Sequence, residues 1–484
     1  MLANLPWRRG KLYGIRAGSR WPFMMEPEPG RKIPGYMPFP FFLAYAAALL
    51  EKNGFEVKLV DALAEGMTDG EFMLSAESFG PEAILVETST PSINNDLLWA
   101  KKLKDKFPKS MLCLSGPHAT VFAAELLAEN DFLDAVFRGE YEHSFLAACR
   151  AAERKEGFSG IGGMAYRENG RIIVNQRVEL FEDLDSMPWP LRSQLPMLNY
   201  NDSFSGLPSP NVQVWASRGC PFGCVFCNWP STMYGGKNYR TRNPVDVANE
   251  VEWLVKTYGF KAFYFDDDTF NIGKERITAL CAEIKGKNLG VPWAAMARAD
   301  TSDLETLKAM REAGLYAIKF GVESGCQDIV DRSGKGLNLE KVRENVRNAK
   351  RLGIKTHLTF TFGLPGETEG TIRETVKFAK ALDPDSAQFS IVTPFPGTPY
   401  FKELDEKGLI VSRNWDDYDG ANRAVIRTEN LSDTALVSML RYAEREWYRH
   451  QLFSRLMKKP LRSLINGIKK PDYALLFLKK LFRR

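Results

Sequence analysis

Three cysteines stand within eight positions of one another, as Cys220, Cys224 and Cys227 in a Cys-x3-Cys-x2-Cys arrangement. Gly219 precedes this segment and Gly223 lies inside it, so the chain can turn tightly enough for three thiolates to converge. Thiolates are soft ligands that suit iron–sulfur clusters and zinc. Zinc usually takes a fourth protein ligand, and no further Cys or His is close by in the sequence. The spacing therefore predicts a four-iron, four-sulfur cluster with one iron left open, and a structural zinc site is the alternative.

The elements that position this triad are predicted strands that alternate with helix-length segments. Short apolar runs rich in β-branched and aromatic residues indicate strands at 212–216, 261–265, 292–297, 316–322, 355–362 and 386–392. Such alternation predicts a parallel sheet, here an incomplete (β/α) barrel of six units that is open at one side. Active groups in these barrels lie on loops at the carboxyl ends of the strands, and the triad follows the first strand directly.

Charged and hydroxyl side chains follow the later predicted strands. They are Asp266, Asp267 and Asp268 after the second strand, Arg298 after the third, and Glu323 and Ser324 after the fourth. The fifth strand is followed by a Gly-Leu-Pro-Gly segment that contains Leu364. An anionic loop suits a cationic amino group. The three aspartates are also suitable N-cap residues for the next helix, which is the alternative.

The triad and these strand-end motifs, taken in order, resemble the radical S-adenosylmethionine superfamily over nearly half of the chain. In that family the open iron binds S-adenosylmethionine and delivers the electron that cleaves its carbon–sulfur bond. The resemblance implies an external electron donor of the flavodoxin or ferredoxin type. It also implies a binding site for S-adenosylmethionine. Phe226 and the backbone at Leu364 would lie near its adenine, and Asp266, Asp267 and Asp268 would receive an amino group. Arg298 would bind the carboxylate, and Glu323 and Ser324 would contact the ribose and methionine moieties.

The first third of the chain has its own strand and helix alternation. Strands are predicted at 56–61, 83–87, 111–115 and 135–138, and helices are predicted to start near Pro40, Asn95 and Thr120. This order indicates an open, doubly wound, Rossmann-like fold with a parallel sheet.

This first region resembles the cobalamin-binding domain of cobalamin-dependent radical enzymes. The resemblance implies that strand-end loops contact cobalamin through Thr88 and Ser89, through Gly116, Pro117 and His118, and through Gly139 and Glu140, with Tyr36 and Pro38 as further neighbours. The Asp-x-His-x-x-Gly loop that ligates cobalt in other cobalamin proteins is absent. A lone histidine such as His118 or His143 is more often a polar anchor than a ligand, and a domain that has lost cobalamin is the alternative.

Together the patterns predict four regions. They are a cobalamin-binding-like domain at 1–154, a linker rich in Gly, Pro and acidic residues with a small hairpin at 155–210, the partial barrel at 211–425 and a basic helical region at 426–484. The two resemblances imply an enzyme that abstracts hydrogen from an unactivated carbon with a 5′-deoxyadenosyl radical and passes a methyl group from cobalt to it, a second S-adenosylmethionine recharging the cobalt. The expected substrate is a small molecule, such as a lipid or another natural-product precursor.

Several alternative functions stay open at this point. The same cofactors serve non-methylating rearrangements, cyclisations and ring contractions, and an iron–sulfur interaction protein would have no activity at all. A methylthiotransferase acting on tRNA would need a second cysteine set in the first domain, where only Cys113 and Cys149 lie. Those two, like Cys281, sit in apolar patterns and are predicted to be buried small hydrophobes.

Composition narrows the class of protein and its surroundings. With 44% hydrophobic and 26% charged residues over 484 positions, the chain is predicted to be globular with two main domains. Seven cysteines are too sparse for a disulfide framework, which favours a reducing cytoplasm. The resemblance to radical S-adenosylmethionine enzymes implies anaerobic chemistry. The longest apolar run, 39–50, is too short to span a bilayer, and the N-terminus lacks a signal-peptide pattern.

The end of the chain is strongly basic although the net charge is only +5. Beyond Gln451 there are ten basic residues against one acidic residue, Asp472, interleaved with Leu, Ile, Phe and Tyr. Solvated helical faces are one interpretation. Peripheral contact with the inner face of a membrane is another, because an interfacial helix has this pattern; it would favour a lipid substrate. Nucleic-acid binding is disfavoured, since no recognised binding module accompanies the charge.

Overall fold

The computed structural model describes residues 1–16, 20–176, 180–419 and 423–458. The strands of the first region are β1 (Leu2–Asn4), β2 (Arg8–Arg9), β3 (Leu12–Ile15), β4 (Phe23–Met25), β5 (Leu59–Asp61), β6 (Ala83–Glu87), β7 (Met111–Ser115), β8 (Ala135–Phe137), β9 (Met164–Glu168) and β10 (Arg171–Val174). Its helices are α1 (Phe41–Lys52), α2 (Asp69–Phe79), α3 (Ile93–Lys106), α4 (Pro117–Val121), α5 (Ala123–Glu129) and α6 (Glu142–Arg154).

The second region continues the numbering. Its strands are β11 (Asn211–Val214), β12 (Ser217–Arg218), β13 (Arg240–Thr241), β14 (Ala262–Phe265), β15 (Trp293–Ala297), β16 (Leu315–Glu323), β17 (Lys355–Phe362) and β18 (Ser386–Ile391). Its helices are α7 (Asn228–Thr232), α8 (Pro244–Tyr258), α9 (Lys274–Lys287), α10 (Leu304–Glu312), α11 (Gln327–Arg332), α12 (Leu339–Arg351), α13 (Glu369–Leu382), α14 (Pro399–Glu406) and α15 (Asp433–Lys458).

The first sheet has the strand order β10-β9-β8-β7-β6-β1-β5 and is parallel from β5 to β8. Strands such as β6 and β7 are apolar along their length because helices cover both faces of a parallel sheet. The expected doubly wound fold is confirmed. Strand β1, between β5 and β6, was not predicted, since a run of three residues carries no periodic signal.

The predicted small hairpin is present as β9 and β10, but it does not lie in a linker. Strand β9 pairs antiparallel with β8, so the hairpin extends the first sheet and its residues belong to the first domain. One helix was predicted to start near Thr120, but the structure has two helices there: α4 begins at Pro117 and α5 begins at Ala123. Helix α2 was missed although Thr68 and Glu71 form a capping box at its start.

The second sheet has the strand order β11-β14-β15-β16-β17-β18, with each neighbouring pair parallel. Helices α8, α9, α10, α12 and α13 pack against one another in turn along it. Alternate strand residues divide between the two faces: Phe263 and Phe265 join the large core with the helices, while Ala262 and Tyr264 face a small interior cluster. The expected partial (β/α) barrel is therefore confirmed.

Helix α15 ends the described chain and packs on α13 and on the edge strand β18. The basic residues from Lys459 onward lie outside the described residues, so the predictions made for the tail have no structural counterpart here. Among the described helices, none is both long and apolar enough to cross a membrane.

Candidate functional site

The cysteine triad lies on the loop between β12 and α7. Gly219 has a φ of +86°, and a Cβ atom there would stand 2.2 Å from Oδ1 of Asn238, so the loop requires glycine at this position. Burial and the neighbouring Cys224 and Cys220 raise the pKa of Cys227 well above its usual value. Neighbouring thiols oppose one another's ionisation, and binding to the irons of a cluster is what would stabilise them as thiolates. The residues therefore fit the expected cluster.

The surroundings of the triad are polar and largely buried. The Cys220 sulfur lies 3.3 Å from the Thr269 hydroxyl. The pKa of Lys335 is raised to about 12, because Glu323 and, to a smaller extent, Cys224 outweigh its burial. Lys335 therefore lies near Cys224. Among the described residues, no three His, Cys, Asp or Glu side chains are close enough to bind one ion. In a four-iron cluster each thiolate binds a different iron, which requires a wider separation.

The acidic loop after β14 is held by Arg20, a residue that the sequence did not single out. Its Nη1 lies 2.9 Å from Oδ1 of Asp266, its Nε lies 2.9 Å from Oδ1 of Asp268, and its guanidinium stands over the ring of Trp229. Arg20 is 246 residues away from Asp266 along the chain, in an irregular segment, so no local pattern could reveal the contact.

The three aspartates have different partners. Asp268 accepts a hydrogen bond from the backbone of Gly219, which ties the acidic loop to the cysteine loop. Asp267 accepts a hydrogen bond from the backbone of Ala216, and burial raises its pKa to about 6. Helix α9 is capped by Gly273, so the alternative of an aspartate N-cap cluster is wrong.

Phe226 is buried beside the same N-terminal segment. Its ring stacks on Trp21 with a centroid distance of 6.4 Å, and Trp21 also lies 6.2 Å from the ring of Phe395. Arg20 and Trp21 are thus neighbours of two groups of residues that the sequence assigned to S-adenosylmethionine, the aspartate loop and Phe226.

Arg298 and Glu323 both lie next to the triad. Arg298 forms a bidentate ion pair with Asp300, at 2.7 and 3.0 Å, and its guanidinium stands 3.7 Å from the ring centroid of Phe222 in the cysteine loop. Glu323 has a φ of +70° at an irregularity in the β16–β17 pairing, where Lys335 donates to its Oε1 at 3.0 Å. A carboxylate ligand at Arg298 would share the guanidinium with Asp300.

Ser324 and Leu364 are fully buried and make structural contacts. The Ser324 hydroxyl lies 3.0 Å from that of Thr375 on α13. The backbone N–H of Leu364 donates to the Glu367 carboxyl group, whose pKa burial raises to about 8. Their contribution to a cofactor site would therefore come through the backbone.

A narrow cleft lies between the first sheet and α7, and its volume is about 10 Å³, room for about one water molecule. Thr88, Ser89 and Pro117, three of the residues predicted to contact cobalamin, line it from the carboxyl ends of β6 and β7. The other lining residues are Arg16, Pro22, Phe42 and Glu87, with Asn228, Trp229 and Met233 on the side of the cysteine loop. Asn228 directly follows Cys227, and Arg20 stands over Trp229 while it pairs with Asp268, which binds Gly219, so the cleft wall formed by Asn228 and Trp229 adjoins the cysteine loop.

The remaining cobalamin candidates do not line this cleft. Gly116 has a φ of +98°, and a Cβ atom there would stand 2.3 Å from the carbonyl oxygen of Thr88. Glycine at this position therefore lets the backbone at residue 116 approach the backbone at Thr88. The backbone N–H of Gly139 donates to the Thr120 hydroxyl at 2.9 Å. The polar and apolar lining suits the edge of a large flat cofactor, but the volume of the cleft is far smaller than such a group, so binding it would require the first sheet and α7 to move apart.

The two histidines of the first domain behave as packed anchors. Nδ1 of His118 lies 3.2 Å from the Thr90 hydroxyl, its ring packs against Phe122 and Trp415, and burial lowers its pKa to about 3. His143 packs on Phe181 at 4.2 Å. The polar-anchor interpretation agrees with His118, whereas the buried Nε2 of His143 has no hydrogen-bond partner among the described residues.

Glu140 takes part in a buried ion-pair network between the two domains. Its carboxylate lies 3.1 Å from Nη1 of Arg218, just before the triad, and 2.7 Å from Nη1 of Arg240. Arg242 is similarly bound to Glu250 at 2.6 Å. The ion pairs of Glu140 hold the cysteine loop against the first sheet, and Arg240 and Arg242 both have protein carboxylates as partners.

Comparison with known proteins agrees with this architecture. A model of the radical SAM superfamily matches residues 216–379, and a model of the B12 binding domain matches residues 34–148. An uncharacterized methyltransferase from Pyrococcus horikoshii is 32% identical, over 86% of this chain and 89% of its own. The anaerobic magnesium-protoporphyrin IX monomethyl ester cyclase of Rubrivivax gelatinosus is 29% identical, over 78% of this chain and 68% of its own.

A solved structure has the same fold. The radical S-adenosylmethionine methyltransferase TsrM from Kitasatospora setae, with cobalamin and a [4Fe-4S] cluster bound, matches with a TM-score of 0.63 at 18% identity. The match covers 76% of this chain and 72% of that one.

Proposed function

The chain belongs to the cobalamin-dependent radical S-adenosylmethionine enzymes, and we propose that it methylates an unactivated carbon of a small-molecule substrate. The observation that carries this proposal is the wall shared by the interdomain cleft and the cysteine loop, formed by Asn228 and Trp229. A methyl donor in the cleft and a radical generator at the triad would face one substrate from two sides, as transfer to a carbon radical requires.

The residues fall into sets with different tasks. Cys220, Cys224 and Cys227 would hold the cluster, which supplies the electron that cleaves S-adenosylmethionine. Asp266 and Asp268 would orient its amino group, with Arg20 as their ion-pair partner; burial raises the pKa of Asp266 to about 6, and Arg20 opposes that shift. Thr88, Ser89 and Pro117 would contact cobalamin from the first sheet.

The other predicted cofactor residues have supporting tasks in this proposal. Arg298 would hold the carboxylate of S-adenosylmethionine while Asp300 fixes its guanidinium plane. Phe226 would cover the adenine, and Glu323 would reach the ribose from the irregular end of β16. A small reductase partner of the flavodoxin or ferredoxin type would supply electrons. A lipid substrate and membrane contact depend on the basic tail and stay predictions.

The nucleosides formed from S-adenosylmethionine test the proposed function. We expect anaerobically reconstituted, cobalamin-loaded protein with reductant to form S-adenosylhomocysteine, because the methyl group leaves its sulfur, and separately to form 5′-deoxyadenosine. Protein without cobalamin should form 5′-deoxyadenosine alone. Mass spectrometry of both nucleosides measures this. Loaded protein that forms 5′-deoxyadenosine and no S-adenosylhomocysteine would refute methyl transfer and favour a cyclisation or rearrangement.

A further inference from the structure

One titratable group in the interdomain cleft has no task in the proposed function. Glu87 is the last residue of β6, lines the cleft and is only 6% exposed. Its Oε2 accepts a hydrogen bond from the Tyr141 hydroxyl at 2.6 Å. A buried carboxyl group needs partners for its polar atoms, and one partner leaves it able to bind a ligand in the cleft.

The groups around Glu87 determine its charge. Burial raises its pKa to about 7, the Tyr141 hydroxyl and Arg16 oppose that shift, and Glu142 and Asp61 add to it. Arg16 is itself in a buried ion pair with Asp96, so it is not a dedicated counter-ion for Glu87. On the side of the cysteine loop the cleft is lined by Asn228 and Trp229 of α7 and by Met233, which follows that helix, and none of the three carries a charge.

The chemistry of the expected occupant matches such a group. The rim of the corrin ring carries primary amides, whose carbonyl oxygens accept hydrogen bonds. A neutral carboxylic acid can donate to them, whereas a carboxylate would be covered by the cofactor and would lose its hydration, which is costly. We propose that Glu87 contacts bound cobalamin and donates a hydrogen bond from its neutral carboxyl group to an amide on the corrin rim. This inference rests on the proposed function, since it requires cobalamin in the cleft.

The affinity for methylcobalamin at pH 6 and pH 8 tests the inference, measured by equilibrium dialysis in dim light with the full-length protein. With a pKa of about 7, the neutral fraction of Glu87 falls from about 0.9 to about 0.1 between these pH values. We therefore expect wild-type protein to bind about tenfold more weakly at pH 8. Glu87→Gln is neutral at both pH values and also donates, so it should bind equally at both.

Glu65→Gln is the matched control, because burial also raises the pKa of Glu65 but that residue lies on another groove of the first domain. It should keep the wild-type pH dependence, and titration of the probe itself affects all three proteins alike. Circular dichroism of each protein checks folding. Equal wild-type affinity at both pH values, or an unchanged pH dependence in Glu87→Gln, would overturn the inference. Wild-type protein that binds no methylcobalamin at either pH would contradict the proposed function itself.

Discussion

Cys224→Ala is expected to abolish the brown absorbance of the reconstituted cluster and to reduce 5′-deoxyadenosine formation to background. The side chain removed is one of only three thiolates in the loop between β12 and α7, and two thiolates do not hold a four-iron cluster with one open site. Iron content and visible absorbance after anaerobic reconstitution measure the first effect. Chromatography of the nucleosides measures the second.

Cys281→Ala is the control for the cysteine substitution. Cys281 is buried on α9, and burial raises its pKa to about 12, so it is a small apolar core residue. We expect this variant to retain cluster and activity, with a modest loss of stability from the small cavity. A Cys224→Ala protein with wild-type iron content would refute the ligand assignment.

Glu140→Ala is expected to destabilise the protein by about 3–5 kcal/mol, because it leaves Arg240 buried without its carboxylate partner and leaves Arg218 with Glu142 alone. The pKa of Glu140 is lowered: its burial opposes ionisation, but Arg218 and Arg240 outweigh it. The stabilisation is therefore fully present above the unfolded pKa of about 4.3 and is lost as the pH falls through the lower folded value.

Urea unfolding of Glu140→Ala at pH 7, followed by circular dichroism, measures this loss. Glu153→Ala, an exposed position on α6, is the matched control and should change stability by less than about 0.5 kcal/mol. If Glu140→Ala unfolds at the same urea concentration as the control, the network does not hold the two domains together. Because Arg218 directly precedes the triad loop, we also expect less cluster to be retained after reconstitution.

The parts of the fold that were predictable from sequence are those with strong local signals. The apolar runs of β6, β7 and β17 predicted strands with the observed bounds, because both faces of a covered parallel sheet are buried. The spacing of Cys220, Cys224 and Cys227 indicated a cluster, because convergence of three thiolates is a local property of one loop.

The parts that were not predictable depend on contacts between distant segments. Arg20 binds a loop 246 residues away, and Glu140 had the residue type and strand-end position of a cofactor contact but pairs with arginines of the other domain. The hairpin β9–β10 was recognised, but only the tertiary structure places it on the edge of the first sheet. Local pattern indicates which residues are polar, and long-range packing decides their partners.

We propose that cobalamin and the iron–sulfur cluster face each other across the wall formed by Asn228 and Trp229. Electron paramagnetic resonance tests it without knowledge of the substrate. Reduced, reconstituted protein loaded with cob(II)alamin should show a cobalt signal that relaxes faster than in Cys224→Ala, because a nearby paramagnetic cluster shortens the relaxation time. Identical relaxation in the two proteins, with cobalamin bound to both, would contradict the shared site.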